Sequence, residues 1–231
     1  MADSKISALT AATTLASTDE FVIATGGASK KMTGAILRVE SAWEKAVDES
    51  GASLANWTQN SGTWSVVSSA FHVNAGAAQA ILKFNTAALS RPYQDHFARF
   101  ILECEVRIDA VGLAGTDHAG MIWNWDGSST GGASDAPPAI RLGNNSGTKR
   151  IEVEHLAFSA LGNEVNAWAN DTYHKVRIIH HGALLSVYFN GTWLLNLTNV
   201  TNVQGGFLGL YANGIIADFK NVKLWREAFP A

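Results

Sequence analysis

Arg99-Phe100-Ile101-Leu102-Glu103-Cys104-Glu105-Val106-Arg107-Ile108-Asp109 is the stretch that decides the fold. Phe100, Leu102, Cys104, Val106 and Ile108 point one way. Arg99, Glu103, Glu105, Arg107 and Asp109 point the other, with Ile101 as the exception. Alternation at period two predicts a strand with one buried and one solvated face, the habit of antiparallel sheets. Cys104 is the only cysteine, so it forms no internal disulfide and is expected to pack as a small buried hydrophobe. Glu103 and Glu105 are expected to lie on the solvated face, partnered by Arg99 and Arg107.

The same texture extends in both directions. Trp64-Ser65-Val66-Val67, Phe71-His72-Val73 and Ala80-Ile81-Leu82-Lys83-Phe84 precede it as short strands, and His118 to Trp125 follows. Residues 150–154 alternate Arg, Ile, Glu, Val, Glu. Residues 173–181 and 183–189 read as a hairpin, and Asn190-Gly191 is a strong turn signal leading into Thr192-Trp193-Leu194-Leu195. In the final run, Ile215 to Trp225, Phe219 cannot share a face with Val222 and Leu224 at strict period two. One extra residue near Lys220-Asn221 repairs the pattern, which predicts a bulge there. Short strands with turns every 8–12 residues and no long helix after Gly51 indicate an all-β, two-sheet antiparallel sandwich.

Residues 1–50 differ from this body. They are rich in Ala, Thr, Ser and Lys, with sparse apolar anchors. Phe21 to Ala24 and Lys30 to Thr33 read as two short strands about Gly26-Gly27, and Gly34 to Val47 as a connector helix of modest amphipathicity. So little apolar surface does not make a core by itself. The expected organisation is therefore an adaptor or assembly segment over 1–50 and a sandwich over 51–231.

Bulk composition narrows the function classes. The chain has 231 residues, 47% of them apolar, with eight tryptophans, a formal charge of -3 and only 16% charged residues. No basic field exists for a polyanion, which argues against nucleic-acid partners. No run approaches the roughly 18 apolar residues of a membrane span, and nothing at the start resembles a signal peptide.

The elements over 57–225 resemble the concanavalin-like, laminin-G-like jelly-roll superfamily. The likeness rests on Gly62-Thr63-Trp64-Ser65-Val66, the strand Phe100 to Ile108, Tyr173 to Ile178 with Leu185 to Gly191, Gly206 to Tyr211, and Asp218 to Trp225. That superfamily hosts lectins, glycosidases, adhesion modules and spacers, so the resemblance implies fold more than function. Lys5-Ile6-Ser7-Ala8-Leu9-Thr10, Asp19 to Ile23, and Gly26-Gly27 through Ser29-Lys30-Lys31-Met32-Thr33 resemble the amino-terminal segment of bacteriophage tail-fibre and related virion proteins. That resemblance implies a segment that joins the particle.

Glu152 and Glu154 share a strand face, roughly 7 Å apart by strand rise, a separation compatible with acid and base roles in sugar hydrolysis. The resembling hydrolases carry a third acid on that strand, where His155-Leu156-Ala157-Phe158 stands here, so the pair is expected as solvated surface. His180 and His181 point to opposite faces, and His174 lies too far from His180 for a shared ion. No metal or other cofactor is expected, although Asp117, Asp126 and Asp135 border loops where related modules hold calcium. The binding candidates are Trp123 and Trp125, placed by alternation on one face, with Asn124, Asp126 and Tyr211, as a platform for a sugar ring.

The expected function is that of a phage virion structural protein, not an enzyme. It is expected to be a homo-oligomer located in the virion and joined to other virion proteins through residues 1–50. Glycan or host-surface attachment is the expected task of the jelly roll. A capsid decoration or cement protein is the nearest alternative, and a carbohydrate-active glycosidase the alternative from another class.

Overall fold

The strand that opened the sequence reading is the centre of the larger sheet. In the computed structural model it runs over Arg99–Ile108, and Phe100, Leu102, Cys104, Val106 and Ile108 are all buried in the main core. The structure describes residues 20–25, 28–33, 43–76, 79–85, 99–109, 117–125, 138–145, 148–155, 159–165, 168–181, 184–198 and 207–227. The first strands are β1 (Glu20–Thr25), β2 (Ala28–Thr33), β3 (Trp43–Glu49), β4 (Trp57–Ser61), β5 (Trp64–Val67), β6 (Ala70–Asn74), β7 (Gln79–Phe84) and β8 (Arg99–Ile108). They continue as β9 (His118–Trp125), β10 (Pro138–Asn145), β11 (Thr148–His155), β12 (Ser159–Val165) and β13 (His174–His181). The last are β14 (Leu184–Phe189), β15 (Thr192–Thr198), β16 (Phe207–Asn213) and β17 (Ile216–Glu227). No helix occurs among the described residues, and none is long and apolar enough to cross a membrane.

The chain divides into two compact units, Met1–Glu44 with Glu227–Ala231, and Lys45–Arg226. In the first, β1 and β2 form the expected antiparallel hairpin, with Glu20 opposite Thr33 and Thr25 opposite Ala28. The connector helix expected over 34–47 is not what the described part shows. Residues 43–49 are strand β3, which pairs with β17 and buries Val47. Sheet pairing outweighs a weak helical pattern there; residues 34–42 lie outside the described residues.

The second unit is a sandwich of two antiparallel sheets. One has the order β12-β11-β10-β9-β16-β7-β4, the other β15-β14-β13-β8-β17-β6-β5. Their facing sides interlock in a single core, with Trp57 edge-on to Phe84 and Trp64 tilted against Phe219. At each flank of the sandwich a side chain bridges the two sheets. On one, Leu197 of β15 lies over Gly162 of β12, filling the space a Cβ would need. On the other, the Gln59 amide of β4 donates to Trp64 O and accepts from Trp64 N of β5, each at 3.1 Å.

Turn chemistry behaves as its residues dictate. Asn190 and Gly191 both take positive φ, 48° and 84°, so β14 and β15 join through a two-residue turn whose twist matches the strands. The bulge expected in the last strand lies between Lys220 and Lys223. Asn221 there takes φ 51° and donates from Nδ2 to Glu105 Oε1 at 3.0 Å. Asn221→Val is expected to cost about 2–3 kcal/mol, combining left-handed strain with a lost charge-assisted bond. Asn221→Gly relieves the strain and should cost roughly half as much. Urea unfolding midpoints of the two variants against the parent check this.

The solvated face of β8 is an ion-pair field with different partners from those expected. Glu103 is buried and held by Arg177 and Lys175; Glu105 meets Lys220. Arg107 pairs instead with Asp218 at 3.0 Å and Asp109 at 2.9 Å. The register places Arg177 directly opposite Glu103 and Asp218 opposite Arg107, and directly opposed residues approach more closely than same-strand neighbours two apart.

Candidate functional site

A second, more deeply buried polar cluster lies on the outer face of the seven-stranded sheet, the face turned away from the main core. Strand register lays its side chains out in rows. One row runs Glu152, Arg141, Gly120, Tyr211, Ile81 across β11, β10, β9, β16 and β7. The next runs Glu154, Ala139, Ile122, Gly209, Lys83, and the row on the other side Arg150, Gly143, His118, Asn213, Gln79. Glycines alternate with long side chains, so those side chains have room to converge above the sheet.

Arg141 is the hub. Its Nε donates to Glu152 Oε2 at 2.8 Å, and its Nη1 lies 2.5 Å from Glu154 Oε1. This second contact is an ion pair without an aligned hydrogen bond, and among the described residues none donates an aligned bond to Oε1. The same Nη1 is 3.2 and 3.1 Å from the two ring nitrogens of His118 and 3.5 Å from Tyr211 Oη. The last contact crosses Gly120, which carries no side chain to block it. Glu152 and Glu154 are 6% and 5% exposed, and the Arg141 side chain is 19% exposed. The cluster therefore meets solvent mainly through Arg141 and the half-buried His118.

Burial sets the proton affinities. It pushes the Glu154 carboxyl up to about 7; Arg141 opposes the shift and Glu152 adds to it. Burial likewise raises the Tyr211 hydroxyl well above the usual phenol range. Burial works against the Arg141 charge, yet Tyr211, Glu154 and Glu152 carry its pKa above the ordinary guanidinium value. Two carboxylates sharing one guanidinium in a poorly hydrated place make a charge-dense patch that a polyol's hydroxyls complement, as donors to carboxylates and acceptors from N–H groups.

Beside this patch lies a second, apolar cluster of Ile81, Ile122, Trp125, Ala139 and Tyr211, with Phe207 packed against it. Trp125 and Phe207 meet edge to face at 6.5 Å, and Lys83 Nζ sits 4.5 Å from the Phe207 ring centre.

The expected tryptophan platform is not formed. Trp123 is fully buried in the inter-sheet core, 6.4 Å from Phe100, whereas Trp125 is buried on the opposite face. A bulge separates them: Phe207 pairs with Trp125 but Gly209 with Ile122, so three steps on β9 match two on β16 and alternation slips. Tyr211 shares the outer face with Trp125 and is fully buried. The side chain of Asn124, and the whole of Asp126 and Asp135, lie outside the described residues. Glu152 and Glu154 are not the solvated pair expected: both are buried, and Arg141 of the adjacent strand pairs with each.

His174, His180 and Cys104 are packing groups. His180 stacks on Phe100 at 5.0 Å, and His174 Nε2 donates a 2.8 Å bond to Ala169 O while the ring stacks on Phe189. Cys104 is a buried free thiol. Among the described residues no group of three or more His, Cys, Asp or Glu is placed to hold a metal ion.

Known structures share this architecture. The chain is similar to the carbohydrate-binding module CBM66 of Bacillus subtilis at 14% identity and TM-score 0.55, over 72% of this chain and 93% of that one. It is similar to the exoplasmic/lumenal domain of VIP36 in its Ca2+/Man3GlcNAc-bound form at 13% identity and TM-score 0.61, over 83% and 92%. A Bacillus subtilis protein of unknown function with a galectin-like fold matches at 10% identity and TM-score 0.57, over 82% of this chain and 100% of that one. At such identities the likeness is one of fold. No curated protein sequence matches the chain. The family model of the 3-keto-alpha-glucoside-1,2-lyase-like domain does match, over residues 42–225, nearly the whole second unit, and the chain belongs to that family.

Proposed function

We propose that the second unit is a saccharide-binding module whose ligand engages the outer face of the seven-stranded sheet. The observation that carries this is the buried Glu152–Arg141–Glu154 cluster, flanked by His118 and Tyr211 and bordered by the Trp125–Phe207 aromatics. Carboxylate and guanidinium groups suit ring hydroxyls, and the half-buried Phe207 ring adds apolar surface for the C–H side of a sugar. The fold likeness to a carbohydrate-binding module and to a mannose-bound lumenal domain supports the reading. A glycan array probed with the whole chain is the test. Glu152→Gln with Glu154→Gln is expected to weaken any retained glycan at least tenfold, about 1.4 kcal/mol or more. Retention of no glycan, or binding indifferent to that pair of changes, overturns it.

The module is further proposed to serve attachment in a phage virion, joined to other virion proteins through residues 1–50 and assembled as a homo-oligomer. The resemblance of residues 5–33 to virion segments supports this. Solution mass of the intact chain, compared with one lacking residues 1–50, tests it. An unchanged monomer speaks against an assembly segment.

A second reading, an enzyme acting on α-glucosides, is favoured by one arrangement: Glu154 is buried beside Glu152 on one strand face, and burial pushes its carboxyl up to about 7. The family description names a lyase. We favour binding without turnover. Mass spectrometry of α-glucosides and their 3-keto derivatives after incubation separates the readings, and product formation abolished by Glu154→Gln establishes the enzyme.

A further inference from the structure

We infer that the outer face of the eight-stranded sheet is a second ligand site, one that takes an acidic polysaccharide laid across its strands. Register assembles this face from residues far apart in the chain. One row runs Trp193, Tyr188, Arg177, Glu103, Lys223 across β15, β14, β13, β8 and β17. The row beside it runs Lys175, Glu105, Lys220 across β13, β8 and β17. Val187, Val176, Leu102 and Leu224, next to them along their strands, are in the core, which turns both rows outward. Neighbouring strands lie about 4.8 Å apart, close to the advance of one sugar unit along an extended chain. Successive sugars therefore meet successive members of the row.

The chemistry changes along the row. At the β15 end Trp193 is 54% exposed, and its indole N–H donates to Asn196 Oδ1 at 3.1 Å, which fixes the ring. Tyr188 opposite it is half-buried, and its hydroxyl has no partner among the described residues. A fixed ring face and a free hydroxyl suit the C–H side and the oxygens of a pyranose. Further in, the four cations Lys175, Arg177, Lys220 and Lys223 stand against the two carboxylates Glu103 and Glu105. That is an excess of two positive charges on a chain whose formal charge is -3. Glu103 is 3% exposed, whereas the Arg177 and Lys175 side chains that hold it are 43% and 44% exposed, so a ligand meets the cations first. Lys223 pairs with no acid among the described residues. A polymer with one carboxylate per sugar complements this charge, and the partly exposed Glu105 accepts from its hydroxyls. A nucleic-acid strand brings denser charge and fewer hydroxyl donors, so it fits the interspersed carboxylates less well.

Calorimetry of the whole chain with linear hexagalacturonate and with its methyl ester, at low and high salt (about 20 and 200 mM), provides the test. The acid form is expected to bind about tenfold tighter than the ester at low salt, a preference that shrinks at high salt. Trp193→Ala should weaken both forms about tenfold, and Lys223→Gln the acid form alone by about threefold. Glu152→Gln with Glu154→Gln, on the other sheet, should change neither, which keeps this site distinct from the one proposed above. Binding of neither form, equal binding of the two, or binding indifferent to both Trp193→Ala and Lys223→Gln overturns the inference. So does loss of binding through the Glu152 and Glu154 changes, or a thymidine oligonucleotide that binds tighter than hexagalacturonate. Lys223→Gln, which removes no ion pair, suffices by itself should Trp193→Ala not fold.

Discussion

Gly120→Ala is expected to destabilise the second unit by about 3 kcal/mol or more, with a matching drop in urea midpoint and little change in slope. A Cβ at this position would overlap Ile140 O and lie 2.7 Å from Arg141 Cα and 2.8 Å from Ile140 C. These are backbone atoms, so relief requires β9 and β10 to part and no rotamer change suffices. The displaced strands carry His118 and Arg141, so the substitution should also disperse the polar cluster. A cost under 1 kcal/mol would mean that the close approach of the two strands is not held in solution.

Arg141→Met should be the second large loss, about 3–5 kcal/mol at pH 8, because it leaves two carboxylates buried without their shared cation. The cost should shrink at pH 5, and the sign follows from proton binding. In the folded chain Glu154 keeps its proton to about pH 7, whereas an unfolded carboxyl releases it near 4.3. Between those values the folded state binds more protons, so wild-type stability falls as pH rises through that window. Without Arg141, which opposes the shift, the Glu154 carboxyl holds its proton longer, and the fall should extend to higher pH. Unfolding midpoints of both proteins at pH 5 and 8 decide the matter. An equal cost at the two pH values would show that Arg141 acts through packing and not through charge.

Much of the fold was legible because backbone rules act locally. The five alternating apolar residues of Phe100 to Ile108, the Asn190-Gly191 turn and the bulge at Lys220-Asn221 each follow from a period or a dihedral preference carried by a few neighbours. The site was less legible because it is a product of register. Nothing in Pro138 to Asn145 marks Arg141 until β10 is laid between β9 and β11. Glu152 and Glu154 were correctly placed on one face, but their burial depends on which strand lies alongside. Trp123 and Trp125 were misassigned to a shared face because the bulge in β9 arises from pairing with Phe207 and Gly209, about eighty residues further along the chain.

The flanks have a consequence for how this molecule behaves when crowded. With only 16% charged residues, mutual repulsion offers slight protection against sticking, and a sandwich with bare margins templates strand addition from its neighbours. The Gln59 amide caps one N–H and one C=O of the β5 margin, at Trp64, while Val66 and Val67 further along it stand exposed. Strand addition is thus obstructed at one end of that margin and left to Val66 and Val67 at the other.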